Sequence, residues 1–585
     1  MNGLKEKDIG MDLASYLKEN KSSEAYFHKN QILLEKKDPK LAFLSRMVEQ
    51  KPFFCRSKKK ELNVKKEKSY LYSQKDAEKQ LKTWGQNLDL ENVDVLYLYG
   101  SALGYPFLVL KDWLEKKERQ LIIIEDQQLD FLAFLHTSFA KKVLNHPRIH
   151  FAFFYKGEKN FEDNLAKKFP VRKTEVLLAP TKKKSQKFHN LRLKLLRKTT
   201  LSEGLYMDRL YSVITFQNFV ENVRQFPGSF YMNTLKGAFE KMPVIIVGAG
   251  PSLSQNIPLL KKLENKAFII AGGSAISALS SFGIKPHLGF ALDPNLEEYY
   301  RLKRNFSFDL PMVCSSRVHS GISCQMNGIR GYLRSSFGQL YDLWIEEKIG
   351  LKGDFIGSNL SSEALSVTTM ALSLAEFLGF DPLILVGVDL AYTSNSRYAT
   401  GVVEDEKIDP AHIDRSKISE DRIYQMKDVQ GSPIYTSVKW IMERDTLDQF
   451  TKKSSKTFYN ASGGLAFTHI PYKKLEEIHF HSTYPFSDLL YALINQALIP
   501  CSQEEIEKYL IELQSSLQKC LSHLRILKSN DSFGHKVLGE MELKEERAYQ
   551  ILFYDTQKIL KKYLPNEKKR WSCFYQIVQR YLDIF

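Results

Sequence analysis

The stretch Val244–Leu253 reads VIIVGAGPSL. Four consecutive β-branched residues fit a short buried strand. Gly248 and Gly250 then let the chain turn tightly and bring its backbone close to a ligand. Pro251 suits the first position of a helix, where its missing N–H would have no partner anyway. Strand, glycine turn and helix in that order aim the first helical amides back at the turn. Such an end attracts phosphate, and Ser252 can add a hydroxyl donor.

Outward from this stretch, apolar runs at Phe268–Ala271, Leu288–Leu292, Met312–Cys314 and Leu383–Val388 alternate with helical patterns. The alternation predicts an α/β fold with a doubly wound parallel sheet covered on both faces. Ligands of such sheets lie beyond the carboxyl ends of the strands, so the residues after each run are the candidates. The second run ends in Gly272-Gly273-Ser274, where an NAD site needs an acid for the ribose. Leu253 also stands where a third glycine would be. Both departures count against a dehydrogenase and fit a flat base lying on glycine backbone.

The third run ends at Asp293-Pro294-Asn295. Asp293 can hold a ribose, a metal or a substrate hydroxyl, or it can cap a helix starting near Leu296. Asn359, Ser361 and Ser362 precede a very apolar helix expected over Ala364–Leu378. They either cap it or offer donors to a phosphate or a sugar carboxylate. Asp389 follows the last run and can position a base or bind a hydroxyl; Tyr392 is placed to hydrogen-bond a leaving phosphate. His412, in a polar insertion, titrates near neutrality and is the easiest general base. His479 and His481 alternate on a predicted strand, a weak metal pattern without acid or Cys partners.

A second copy of the layout lies upstream. Val93–Tyr99, Gly100, a helical run to Leu114, and Leu121–Ile124 closed by Glu125-Asp126 predict a Rossmann-like βαβ unit. Gly100 and Gly104 alone do not make the dinucleotide fingerprint, so an idle crevice is expected there. The expected organisation is a mixed N-terminal extension at 1–85, a Rossmann-like domain at 86–235, a central catalytic domain at 236–485 and a helical domain at 486–585. The helical domain rests on one apolar face, from Ile506 through Leu510, Leu513, Leu517 and Leu521 to Leu524, and on a second helix expected over Met541–Tyr563.

Composition sets the outer bounds. The 585 residues are 43% hydrophobic and 26% charged, the profile of a folded chain. Lys and Arg exceed Asp and Glu by 84 to 68, a net charge of +16 spread along the sequence. A spread excess is a solvated surface that helps gather an anionic small molecule; it is not a nucleic-acid track. The six cysteines form no C-x-x-C pair, which fits a reducing compartment. No secretory core opens the sequence, and Leu372–Tyr392 is broken by Glu376, Asp381, Pro382 and Asp389. A cytoplasmic location without membrane insertion is expected.

Three blocks carry a family resemblance: VIIVGAGPSLSQNIPLLKKL, FIIAGGSAISALSSFGIKPHLGFALDP and GSNLSSEALSVTTMALSLAEFLGFDPLILVGVDLAYT. They resemble the central domain of the motility-associated factor (Maf) glycosyltransferases, within the wider family that also holds a 6-hydroxymethylpterin diphosphokinase of the MptE-like type. YLYGSALGYPFLVLKDWLEKKERQLIIIEDQ resembles the preceding Rossmann-like domain of the same proteins. The resemblance implies transfer of a nonulosonic acid, such as pseudaminic, legionaminic or sialic acid, from a CMP-activated donor to Ser or Thr of an acceptor such as flagellin, in the cytoplasm. The central fold is similar to that of bacterial sialyltransferases of the CstII type. Carried over, Gly248, Gly250, Pro251 and Ser252 hold the CMP phosphate. Gly272, Gly273 and Ser274 take the base, although the sialyltransferases have an Asn there. Their histidine base has no counterpart in Gln430–Ser437, so Asp389, His412 and a water-mediated route all stay open. No cofactor is certain. Magnesium enters with the rival reading, an ATP-dependent pterin diphosphotransfer with Asp293 and Asp389 as metal ligands. A non-catalytic protein-binding module is the third.

Overall fold

The structure, a computed structural model, describes residues 6–67, 69–154, 160–168, 173–303, 305–361, 366–402, 423–529 and 532–585. Ser362 and His412 lie outside the described residues. The chain forms two compact units, Met1–Met207 and Asp208–Phe585. Each groups two of the four expected segments, with the border shifted upstream from 235.

In the first unit β1 (Phe53–Arg56) and β2 (Leu62–Lys65) form an antiparallel hairpin. A parallel sheet follows, made of β3 (Val95–Tyr99), β4 (Gln120–Glu125), β5 (Ile149–Phe153) and β6 (Thr174–Leu178) in the order β5-β4-β3-β6. Every residue of β3 is buried, as an all-apolar strand between two covered faces requires. The N-terminal helices are not surface decoration. Leu17, Leu34 and Leu41 share a core with Leu96 and Leu98 of β3.

The second unit is built on β7 (Phe230–Tyr231), β8 (Val244–Val247), β9 (Phe268–Gly272), β10 (Leu288–Ala291), β11 (Met312–Cys314), β12 (Arg330–Tyr332) and β13 (Leu383–Val386). A separate antiparallel hairpin, β14 (Ile423–Lys427) with β15 (Pro433–Ser437), precedes the edge strand β16 (Phe458–Asn460). The large sheet is parallel throughout, in the order β16-β13-β8-β9-β10-β11-β12-β7. The pleat sorts its side chains. Val244, Ile246, Phe268 and Ile270 enter one core with the helix Val367–Phe377; Ile245, Val247, Ile269 and Ala271 enter another with the helices Leu253–Leu260 and Ser274–Ser281. Connections leave β8 toward β9 on one side and arrive at β13 on the other. The topological switch point therefore lies between β8 and β13.

The helical C-terminal region is present, and Ile506, Leu510, Leu513, Leu517, Leu521 and Leu524 form the buried face of the helix Gln503–Lys528. It is knitted into the unit. Its core also takes Phe216 and Phe219 from the helix Ser212–Val223, and Trp344 from Leu340–Lys348. The expected second helix is broken. Phe533–Glu545 and Tyr554–Tyr563 are separated by a wide turn at Tyr549–Phe553. His479 and His481 lie in irregular chain rather than on a strand. Among the described residues no helix is long and apolar enough to cross a membrane.

Candidate active site

At the switch point the Gly248–Ser252 turn is closed from within. Asp389 is 2% exposed. Its carboxylate accepts the Ser252 backbone N–H at 2.9 Å and the Ser252 hydroxyl. The amides of Gly248 and Gly250 donate to the carbonyls of Val386 and Gly387. A Cβ on Gly250 would lie 2.5 Å from the Asp389 carboxyl carbon, and one on Gly464 would lie 1.8 Å from the Asp389 carbonyl oxygen. The glycines allow a close approach of three chain segments. Burial raises the Asp389 pKa, against the hydrogen bonds from Ser252.

Two expectations are corrected by this geometry. The amides meant for a donor phosphate at Gly248, Gly250 and Ser252 are already used. Asp389, sealed among its donors, cannot reach an acceptor hydroxyl as a base. Pro251 also precedes the helix instead of opening it: Ser252 is the N-cap of Leu253–Leu260. Tyr392 is buried, and its ring packs against Trp440 with centroids 4.9 Å apart. Asn359 does not cap the apolar helix either. That helix starts at Val367 with Ser366 as its cap, while Asn359 donates to Glu376 at 2.8 Å near the opposite end. Ser361 is half-buried upstream of the cap.

The other side of the sheet edge is open. Gly273 adopts φ 49°, ψ −123°, a conformation reserved for glycine, and starts the helix Ser274–Ser281 without a side-chain cap. Glu298 comes up against it from the helix Leu296–Leu302: a Cβ on Gly273 would meet the Glu298 Oε1 at 3.1 Å. Glu298 is 2% exposed, and its Oε1 has no hydrogen-bond partner. Arg301 Nη1 stands 3.7 Å from the other carboxyl oxygen. Burial, and then the charge of Asp293, push the Glu298 pKa up to about 7 against the pull of Arg301.

Asp293 is the solvent-facing member of this group. The cap of the following helix is Asn295, so Asp293 is not consumed by capping. Its side chain touches solvent, yet the protein around it strips enough water to raise its pKa, opposed by Arg317 and Arg301. The loop Ser315–His319 after β11 lies beside it. The His319 N–H donates to the Asp293 carbonyl at 3.1 Å. The His319 ring stacks on Tyr299 at 5.4 Å, and its Nδ1 accepts from the Gly321 N–H, which leaves Nε2 to carry the proton.

The ends of β9, β10 and β11 thus bring together an uncapped helix end, two carboxyls, two guanidinium groups and an imidazole. Gly272, Gly273, Ser274 and Asp293 were legible as candidates; Glu298, Arg301 and His319 were not. Glu298 could have been found as an acid on the buried face of its helix, one turn before the buried Leu302. Among the described residues the group close enough to hold a metal is Glu61, Asp76 and Glu78 in the first unit, where Lys59 already pairs with Asp76.

Residues 217–395 match the family model described as 6-hydroxymethylpterin diphosphokinase MptE-like. That part of the chain is MptE-like. It runs from the helix before β7 to just past β13 and contains every side chain of the open edge. Among solved structures, a Maf glycosyltransferase from Magnetospirillum magneticum AMB-1 is similar at 15% identity, over 96% of this chain and 95% of that one, with a TM-score of 0.46. No curated protein matches the sequence.

The first unit repeats the pattern of a filled switch point. Lys182, just past β6, lies across the Gly100 turn and pairs with Glu125 at 2.6 Å and with Asp126 and Asp130 at 3.3 Å. Glu125 and Asp126, the acids at the end of β4, are paired in place.

Proposed function

We propose that the protein is a glycosyltransferase that moves a nonulosonic acid from a CMP-activated donor to Ser or Thr hydroxyls of an acceptor protein of the flagellin kind, in the cytoplasm. The observation that carries this reading is the open edge at β9–β11. A solvent-facing carboxyl, a glycine-lined helix start and flanking arginines lie at neighbouring strand ends inside the MptE-like region. An inverting displacement needs those three elements: a proton acceptor for the hydroxyl, donors for the leaving phosphate, and a surface that holds both in line. In this reading the base lies on Gly272–Ser274, and the phosphate faces the start of Ser274–Ser281 with Arg301 or Arg317 as counter-charge. The Gly248–Ser252 turn, bound to Asp389, serves as scaffold. The sequence resemblance to Maf proteins supports the choice of donor and acceptor.

The description of the matched family favours a second reading, pyrophosphoryl transfer from ATP to a pterin with Mg²⁺. Calorimetric titration with CMP, CDP, UDP and ATP, each with and without Mg²⁺, separates the two. CMP binding without metal is expected; binding of ATP with Mg²⁺ alone favours the diphosphotransferase. No binding of any nucleotide leaves a protein-binding module. Mass spectrometry of acceptor proteins from cells with and without this gene then reads the sugar, as a loss matching a nine-carbon acidic residue.

A further inference from the structure

We propose that a cavity at the carboxyl end of β12 is a binding site for a small organic anion, a carboxylate or a phosphate ester carried on an apolar body. The site is separate from the open edge at β9–β11 and does not depend on the transferase reading.

The local sequence builds the cavity. β12 ends at Tyr332, and Arg334 follows two residues on. The chain then forms the helix Leu340–Lys348 and turns back at Gly350, which adopts φ 72°. Glycine is favoured at such a left-handed position just past a helix end. A Cβ on Gly350 would meet nothing within 4 Å, because the space beside it is open. The return segment lays Leu351 and Phe355 against Arg334. Helix, return segment and Arg334 bound a cavity of about 360 Å³. Small-molecule sites span about 300–1,000 Å³, and in parallel sheets they lie beyond the carboxyl ends of the strands, as this cavity does.

The lining suits an anion with an apolar side. Arg334 is fixed from within. Its Nε lies 3.2 Å from the Glu346 carboxylate, its Nη1 donates to the Leu351 carbonyl at 3.3 Å, and its guanidinium lies 4.4 Å from the centroid of the Phe355 ring. Its backbone N–H donates to the Asn233 side chain at 2.8 Å. A guanidinium held this way is in place before a ligand arrives, so binding costs little side-chain entropy. The Arg334 side chain is 21% exposed and lines the cavity. Glu346 stands behind it, outside the lining, and takes the Tyr332 hydroxyl at 2.7 Å. Burial pushes the Glu346 carboxyl up to about 7, against Tyr332 and Arg334, so it offsets the guanidinium only in part. Exposed Lys352 brings a second cation to the lining, and Glu347 its one carboxylate. Neither forms an ion pair among the described residues. The surplus in the lining is positive, which draws an anion. Leu343, Leu351 and Phe355 supply the apolar walls.

The test uses the full chain and ligand-detected NMR at low salt, with benzoate, phenyl phosphate and benzamide as probes. At least one of the two anions is expected to bind the wild type in the millimolar range or tighter, and the tighter of them names the anionic group. Benzamide, equally flat and neutral, is expected to bind about tenfold more weakly. Lys352→Glu, at an exposed position, is expected to weaken anion binding about tenfold or more. Leu343→Trp puts a larger ring into the cavity and is expected to abolish binding. Lys285→Glu makes the same charge change at an exposed site ahead of β10, at the amino end of the sheet, and is expected to leave the affinity within about twofold. The proposal is overturned by a wild type that binds neither anion, by benzamide binding as tightly as the anions, by full binding in Leu343→Trp, or by equal weakening in Lys352→Glu and Lys285→Glu. CMP affinity of Lys352→Glu should match the wild type. Its loss in parallel with the anion would merge the cavity with the donor site and overturn it as a separate one. A wild type that binds no CMP sinks the transferase reading and leaves this site standing.

Discussion

Asp389 accepts the backbone N–H of Ser252 at 2.9 Å across 137 positions of sequence. That bond turns a motif shaped for phosphate into a structural clasp, because an anion-attracting helix start already holds its anion. Asp389→Ala removes an acceptor from a buried N–H and a buried hydroxyl together. Such losses cost about 3–5 kcal/mol. The expected result is a drop in melting temperature of about 6–20 °C, read by calorimetry. Nucleotide affinity at the open edge should be unchanged in whatever fraction stays folded. Full stability with lost turnover would instead return Asp389 to the chemistry.

Gly250 tests the same clasp from the other partner. A methyl group there would lie 2.5 Å from the Asp389 carboxyl carbon and 2.7 Å from the Gly387 carbonyl oxygen. Neither atom is the free end of a flexible chain. Gly250→Ala is therefore expected to destabilise the second unit by about 1–3 kcal/mol through overpacking, seen as a lower denaturant midpoint. Gly204, where a Cβ meets nothing within 4 Å, is the control, and Gly204→Ala should be neutral or slightly stabilising.

How much of this was legible follows from what each signal encodes. All-apolar runs such as Val244–Val247 and Leu383–Val386 announce strands buried on both faces, and both were read. Phe230–Tyr231, Arg330–Tyr332 and Phe458–Asn460 were not, because strands of two or three residues, at or next to a sheet edge, carry too little pattern. The glycine turn was legible as a close approach, but not what approached it. Whether Gly250 faces a phosphate or a carboxylate depends on Asp389, far along the chain. Glu298 was missed for a related reason: an acid in the first turn of a helix ordinarily faces water. It packs against Gly273, which lies just past β9 at the start of a different helix.

A third prediction concerns pH. Burial pushes the carboxyls of Glu346 and Glu443 up to about 7, and burial with the Asp293 charge does the same to Glu298. Acids with raised folded-state pKa values hold protons that the unfolded chain has released. Their contribution is complete below the unfolded value, about 4.3, and is lost as pH rises toward 7. These groups should make the second unit more stable near pH 5 than near pH 8. Glu443 is the cleanest probe, since burial alone raises it and the Ser366 hydroxyl, which donates to it at 2.5 Å, opposes the rise. Glu443→Gln should flatten the fall in melting temperature between pH 5 and 8 and raise stability at pH 8. An unchanged slope would mean that Glu443 is ionised throughout.

The first unit gives the last prediction. Lys182 is 11% exposed and faces Glu125, which is 1% exposed, and Asp130, which is 3% exposed. Burial alone would lower its pKa; Glu125 and Asp130 outweigh that and push it up to about 12. Lys182→Met keeps the length of the stem and removes the charge, so the carboxyls lose their cation. Glu125 retains the N–H and hydroxyl of Ser101 at 2.8 Å, and Asp130 retains Lys66 at 2.8 Å, so the loss is expected at about 3 kcal/mol, the lower part of the range for a broken buried pair. The deficit should narrow as pH falls from 7 to 5. Protonation of a buried carboxyl left without its cation relieves the folded state more than the unfolded one. Titration of NAD or NADP into the wild type should give no binding heat, because the ammonium occupies the crevice and the ribose-binding acids are already paired. A deficit that stays constant with pH would show that Lys182 acts through the packing of its stem over Gly100 and not through its charge.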